Sequence, residues 1–90
     1  MANNKKIAEE VLAAVGGKEN VTNVTHCMTR LRFTLKDQSV PDQEAIKTLD
    51  GVIGVVVAGG QFQIIVGQNV PKVYAEVCKI GGFAQQESIY

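Results

Sequence analysis

Residues 30–36, Arg-Leu-Arg-Phe-Thr-Leu-Lys, alternate polar and apolar side chains without a break. Successive side chains of a strand point to opposite faces. The period of two therefore predicts a half-buried strand, with Leu31, Phe33 and Leu35 toward a core and Arg30, Arg32 and Thr34 away from it. The same parity bears on Cys27, three residues upstream of Arg30. If the strand ran regularly back through Cys27, the thiol would share the apolar face with Leu31 and Phe33, where burial makes a poor nucleophile. A turn or bulge between Cys27 and Thr29 breaks that register and lets the cysteine face the arginines. Two strands joined so tightly form a hairpin with Cys27 near its tip. Such a turn also leaves backbone N–H groups available to an anion.

The strand before the turn is residues 21–25, short and rich in β-branched side chains. A second hairpin is signalled by Ala58-Gly59-Gly60 between the β-rich runs 52–57 and 61–66. Three helices complete the pattern. Residues 4–15 carry Ile7, Val11, Leu12, Ala14 and Val15 at helical spacing, with Asn3 or Asn4 to cap the start and Gly16-Gly17 to stop it. Residues 41–49 form the second, with Pro41 in the first turn, Asp42 and Glu44 at the positive end of the dipole, and Ala45, Ile46 and Leu49 inward. The third starts from Asn69 as cap, buries Val70, Val73, Val77 and Ile80, and stops at Gly81-Gly82. The order α-β-β-α-β-β-α predicts an α+β two-layer sandwich: a four-stranded, mainly antiparallel sheet with three helices on one face. Strand order stays open, because the link through the second helix allows either sense of pairing.

Ninety residues make one small domain, assigned here to residues 1–82, with 83–90 a tail or the start of a linker. Nine Lys plus Arg balance nine Asp plus Glu, so the chain has no global field to draw nucleic acid or an anionic membrane. The longest apolar runs fall well short of the about 20 residues that cross a bilayer. Glu9 and Glu10 interrupt any secretory signal, so a cytosolic setting is expected. In that setting Cys27 and Cys78 stay free thiols. Cys78 sits in a helical pattern and is expected to pack; Cys27 has polar, charged neighbours.

His26-Cys27-Met28-Thr29-Arg30-Leu31-Arg32 places a thiol beside an imidazole, a hydroxyl and two guanidiniums. A thiol reacts as its thiolate, which nearby cations and hydrogen-bond donors stabilise. The same forks and hydroxyls match phosphoryl oxygens. Taken singly, arginines on an outer face are a solvated surface and a lone His is structural; their concurrence at a hairpin tip points to a site. Zinc would need four ligands, and His26, Cys27 and Cys78 lack the paired spacing, so no metal is expected. Thioredoxin chemistry lacks Cys-x-x-Cys. A cysteine protease needs a base that is not the sequence neighbour of its thiol, a cysteine phosphatase loop sets its Arg further off, and no Walker loop is present. A cysteine that accepts and donates a phosphoryl group remains. It needs positioning and charge stabilisation rather than covalent help.

Residues 25–33, Thr-His-Cys-Met-Thr-Arg-Leu-Arg-Phe, resemble the phosphorylation motif of enzyme IIB domains of the sugar phosphotransferase system, glucose and glucoside superfamily. The runs Gly51-Val52-Ile53-Gly54-Val55 and Gly59-Gly60-Gln61-Phe62-Gln63-Ile64-Ile65-Val66-Gly67 resemble that family's second hairpin, closest to the β-glucoside, sucrose and trehalose branch. The likeness runs over about residues 4–82. It implies a relay in which a phosphohistidine on an enzyme IIA domain phosphorylates Cys27, and Cys27 passes the group to a sugar bound in the membrane-embedded enzyme IIC domain. The phosphoryl group travels covalently on Cys27, and no separate cofactor is implied. The candidate phosphate-binding set is Thr29, Arg30, Arg32, His26, Met28 and Gln63, with Gln61 beside them; Met28 stands where the family often has Ala or Ile. Some family members also phosphorylate transcriptional antiterminators, a further partner class that no residue here singles out. The resemblance implies a cytoplasmic domain of a membrane permease. The competing reading is an interaction module whose arginine face docks a partner while Cys27 is incidental.

Overall fold

The computed structural model describes residues 3–83. Helix α1 (Asn4–Ala14) starts where Asn3 Oδ1 accepts the Lys6 N–H at 2.8 Å, so the cap expected from sequence is in place. It buries Ile7, Ala8, Val11 and Leu12. Strands β1 (Val21–His26) and β2 (Arg30–Leu35) form the first hairpin, and β3 (Gly54–Ala58) and β4 (Gln61–Ile65) the second. Helix α2 (Gln43–Lys47) links the hairpins and α3 (Val70–Gly81) ends the fold. The predicted α-β-β-α-β-β-α order and α+β architecture are therefore observed.

The sheet order is β1-β2-β4-β3 and every pairing is antiparallel. The two alternating strands β2 and β4 occupy its centre, where Leu31 faces Ile64 and Phe33 faces Phe62 across the ladder. All four side chains are fully buried. They form the floor of one apolar cluster that also draws Ile7, Val11, Leu12, Ile46, Val73 and Val77 from the three helices. The opposite face carries Thr25, Arg30, Arg32, Thr34 and Gln63, as the parity of residues 30–36 requires.

Element ends differ from the sequence reading for local reasons. Helix α2 begins after Asp42, whose Oδ1 accepts the Glu44 and Ala45 N–H groups at 3.0 and 3.2 Å; Pro41 lies buried ahead of that cap rather than in the first turn. Asn69 has helical φ and ψ itself, a geometry that takes its side chain off the first-turn amides, and the side chain donates to Asn4 Oδ1 instead. In α3 the inward positions are Val70, Val73, Tyr74, Val77 and Cys78, whereas Ile80 is exposed. Thr22 is an extra residue in β1: Val21 pairs with Leu35 and Asn23 with Thr34, so Val21, Val24 and His26 all reach the core face. Strand β3 starts at Gly54, two residues later than the apolar run. Gly59 and Gly60 both take positive φ, +59° and +78°, as a tight primed turn demands. Phe83 closes α3, its N–H on the Cys78 carbonyl at 2.9 Å, and residues 84–90 of the expected tail lie outside the described residues.

Replacing Phe62 by Ala is expected to cost ~3–5 kcal/mol and Ile64 by Val ~0.5–1.5 kcal/mol in urea denaturation. Val57→Ala, at an exposed edge position, should stay within about 0.5 kcal/mol. Val57 pairs with Phe62 on the same face, so equal losses at the two positions would contradict the burial of the central strand relative to the exposed edge.

Candidate active site

The hairpin connection between β1 and β2 is three residues, Cys27, Met28 and Thr29. The register brings His26 opposite Leu31 and closes with the Cys27 N–H on the Arg30 carbonyl at 3.0 Å. Cys27 therefore stands across from Arg30, on the arginine face, and His26 turns inward. The register break expected from parity is this turn, and it frees the thiol from the core.

Three donors converge on the Cys27 sulfur. Partial burial pushes its pKa up, but hydrogen bonds from the backbone amides of Thr29 and Arg30 and from the Arg32 side chain, with the charge of Arg32, outweigh it. The thiol is held below its ordinary range. Cys78 is the contrast: burial raises its pKa, and a hydrogen bond with the Tyr74 side chain offsets this only in part. The fold thus separates a thiol with a lowered pKa from a buried one with a raised pKa.

The loop is tied at its far end. The Thr29 carbonyl accepts the N–H groups of Val66, at 2.9 Å, and Gly67, at 3.0 Å. That bond pair fixes the Thr29–Arg30 peptide, whose N–H is one of the sulfur's donors. Gly67 has φ of +86°, a region that favours glycine, and a Cβ there would press on Ile53 Cδ1 at 3.3 Å. Sequence reasoning missed Val66 and Gly67 as anchors; a glycine directly after the apolar run 61–66 was the available signal.

The arginines are placed by different means. Arg30 donates from Nη1 to Gln63 Oε1 at 2.9 Å, and Gln63 Nε2 reaches Gln61 Oε1 at 3.4 Å. Gln63 is buried and stands directly opposite Arg32 in the ladder. Arg32 reaches Cys27, and among the described residues its buried Nε has no hydrogen-bond partner. A buried N–H without a partner is costly, and this one lies in a side chain aimed at the thiol. Thr29 is exposed at the tip, with Met28 beside it at 77% exposure.

Of the residues singled out from sequence, Cys27, Thr29, Arg30, Arg32 and Gln63 are gathered at one end of the arginine face. Met28 caps the tip. His26 lies on the other side of the sheet: it is buried, its ring centroid 4.6 Å from that of Tyr74, and its Nδ1 is 2.9 Å from the Cys27 carbonyl. Tyr74 was not anticipated, although it falls one helical turn from both Val70 and Cys78.

The family model for the phosphotransferase system EIIB matches residues 9–40, which contain the whole β1–β2 hairpin. A solved domain of the phosphotransferase system IIabc component from Clostridium difficile superposes with a TM-score of 0.85 at 38% identity, covering 99% of this chain and 96% of that one. This chain belongs to the EIIB family of the phosphotransferase system. The beta-glucoside-specific EIIBCA component of Halalkalibacterium halodurans is 46% identical over 91% of the chain, and the trehalose-specific EIIBC component of Bacillus subtilis 46% over 94%. The EIIB chain spans 13% and 18% of those two relatives. Among its described residues no helix is long and apolar enough to cross a membrane.

Alkylation of the folded EIIB chain by iodoacetamide is expected to label Cys27 and leave Cys78 unlabelled, with a midpoint on the pH–rate curve below the ordinary thiol value of about 8.5. Preferential labelling of Cys78, or a midpoint at or above the ordinary value, would contradict the arrangement of donors.

Proposed function

We propose that Cys27 is the phosphoryl carrier of this domain. The supporting observation is the convergence of two backbone amides and Arg32 on its sulfur. In the first step the thiolate attacks the phosphorus of a phosphohistidine on an EIIA domain. An S–P bond forms as the N–P bond breaks, and its electron pair returns to an imidazole that leaves neutral because its other nitrogen carries a proton. In the second step the hydroxyl oxygen of a sugar held by an EIIC domain attacks the same phosphorus. The S–P electrons return to sulfur, the hydroxyl proton passes to a base on the acceptor side, and the thiolate is regenerated among its donors.

Each neighbour has a part derived from its chemistry. The amides of Thr29 and Arg30 hold the anionic sulfur before attack and after release. Arg32, with an uncommitted buried N–H, and Arg30, steered by Gln63, supply guanidinium forks to the phosphoryl oxygens, where charge accumulates in transfer. The Thr29 hydroxyl stands at the exposed tip, where an incoming donor first meets the site. The name EIIBCA of one relative joins B, C and A components in one protein, and EIIBC of the other joins B and C. They support EIIA as donor and membrane-embedded EIIC as acceptor, with this domain at the cytoplasmic face and a sugar of the β-glucoside or disaccharide class as the final acceptor.

In a reconstituted system of phosphorylated EIIA, this domain and EIIC, Cys27→Ser should abolish sugar phosphorylation. Arg32→Gln should slow it by about 10²-fold or more while changing stability by no more than about 0.5 kcal/mol. A Cys27→Ser domain that still phosphorylates sugar would end the carrier reading and return the arginine face to a docking role.

A further inference from the structure

His26 faces away from the arginines, yet it touches the reactive residue through the main chain. Its Nδ1 lies 2.9 Å from the Cys27 carbonyl oxygen. A carbonyl only accepts, so Nδ1 carries the proton of that bond. The ring cannot drift, because it is buried and packed on Tyr74 with centroids 4.6 Å apart and planes at 50°. Tyr74 is itself tied to β1 through its hydroxyl and the Val24 carbonyl at 3.5 Å.

The two residues that close a hydrogen-bonded antiparallel pair ordinarily exchange two bonds, each N–H donating to the other's carbonyl. Cys27 and Arg30 make the first of these, Cys27 N–H to Arg30 O at 3.0 Å. In place of the second, the Cys27 carbonyl meets His26 Nδ1 and the Arg30 N–H addresses the sulfur. The exchange costs no hydrogen bond, since the histidine replaces the amide as donor. We propose that His26 is the positioning residue of the Cys27 loop: its Nδ1–H holds the Cys27 carbonyl on the helix side of the sheet and so releases the Arg30 N–H to the sulfur. The imidazole and the Val66–Gly67 amides then pin the peptides on either side of Met28-Thr29. Helix α3 thereby takes part in the site through Tyr74.

The role deepens the carrier reading and rests on it for its effect on transfer, but not for its effect on the thiol. His26→Phe keeps a ring against Tyr74 and removes the donor; His26→Asn restores an N–H near the position of Nδ1. With folding checked by near-ultraviolet circular dichroism, His26→Phe should move the Cys27 alkylation midpoint upward and slow phosphoryl acceptance from EIIA by about 10-fold, the size usual for loss of a supporting hydrogen bond. His26→Asn should recover most of both. In the unsubstituted protein, imidazole 15N resonances should show Nδ1 protonated. A folded His26→Phe with an unchanged midpoint, an Asn variant no better than Phe, or an Nδ1 without a proton would each overturn the role. If His26→Phe moves the midpoint while the unsubstituted domain accepts no phosphoryl group, the carrier reading falls and the positioning role stands.

Discussion

The site depends on one register. His26 opposite Leu31, across the Cys27-Met28-Thr29 connection, decides that Cys27 shares a face with Arg30 and Arg32 while His26 shares one with Leu31 and Phe33. Shifting that pairing by one residue would exchange the faces of every side chain in β1 and bury the thiol. The register is held from both sides. On the core face, the burial of Leu31, Phe33, Ile64 and Phe62 fixes β2 against β4. At the tip, the Thr29 carbonyl is locked by two amides that follow β4. Packing of the second hairpin thus sets the geometry of the first hairpin's loop.

Electrostatics at the sulfur follow from that placement. A half-buried thiol in an apolar setting is a weak nucleophile, and burial alone moves Cys27 in that direction. Backbone amides reverse it with partial charges that are rigid and need no reorganisation, and Arg32 adds a full charge that the phosphoryl group can also use. The division of labour is economical in residues. Main-chain donors hold the sulfur, side-chain forks are available to phosphate, and Gln63 keeps Arg30 from folding away from the site. Cys78, buried against Tyr74 without such donors, shows what the same side chain does when it only packs.

The alternation of residues 30–36 and the Gly59-Gly60 turn were enough to read both hairpins, and helical spacing was enough for α1 and α3. Parity alone places Cys27 on the apolar face with Leu31 and Phe33; the turn at Cys27–Thr29 was required only by a thiol that reacts, and the common face of Cys27, Arg30 and Arg32 followed with that turn. Other features depend on partners distant in sequence. The central place of β2 and β4 is a tertiary choice between pairings of similar local quality. The bulge at Thr22 shows no composition signal, because Thr suits a regular strand equally well. The inward turn of His26 required the register and a Tyr on α3, some fifty residues away, so its grouping with phosphate ligands by proximity in sequence put it on the wrong side of the sheet. Asp42 outcompeted Pro41 for the start of α2 because a carboxylate satisfies two first-turn amides and proline satisfies none.

The central claim is that the phosphoryl group rests on Cys27. The most direct measurement is the intact mass of the domain after incubation with phosphorylated EIIA, with iodine treatment to cleave an S–P bond and Cys27→Ser as control. The account predicts a gain of one phosphoryl group that iodine removes and the control lacks. A gain that resists iodine and persists in Cys27→Ser would place the group on another side chain and contradict it.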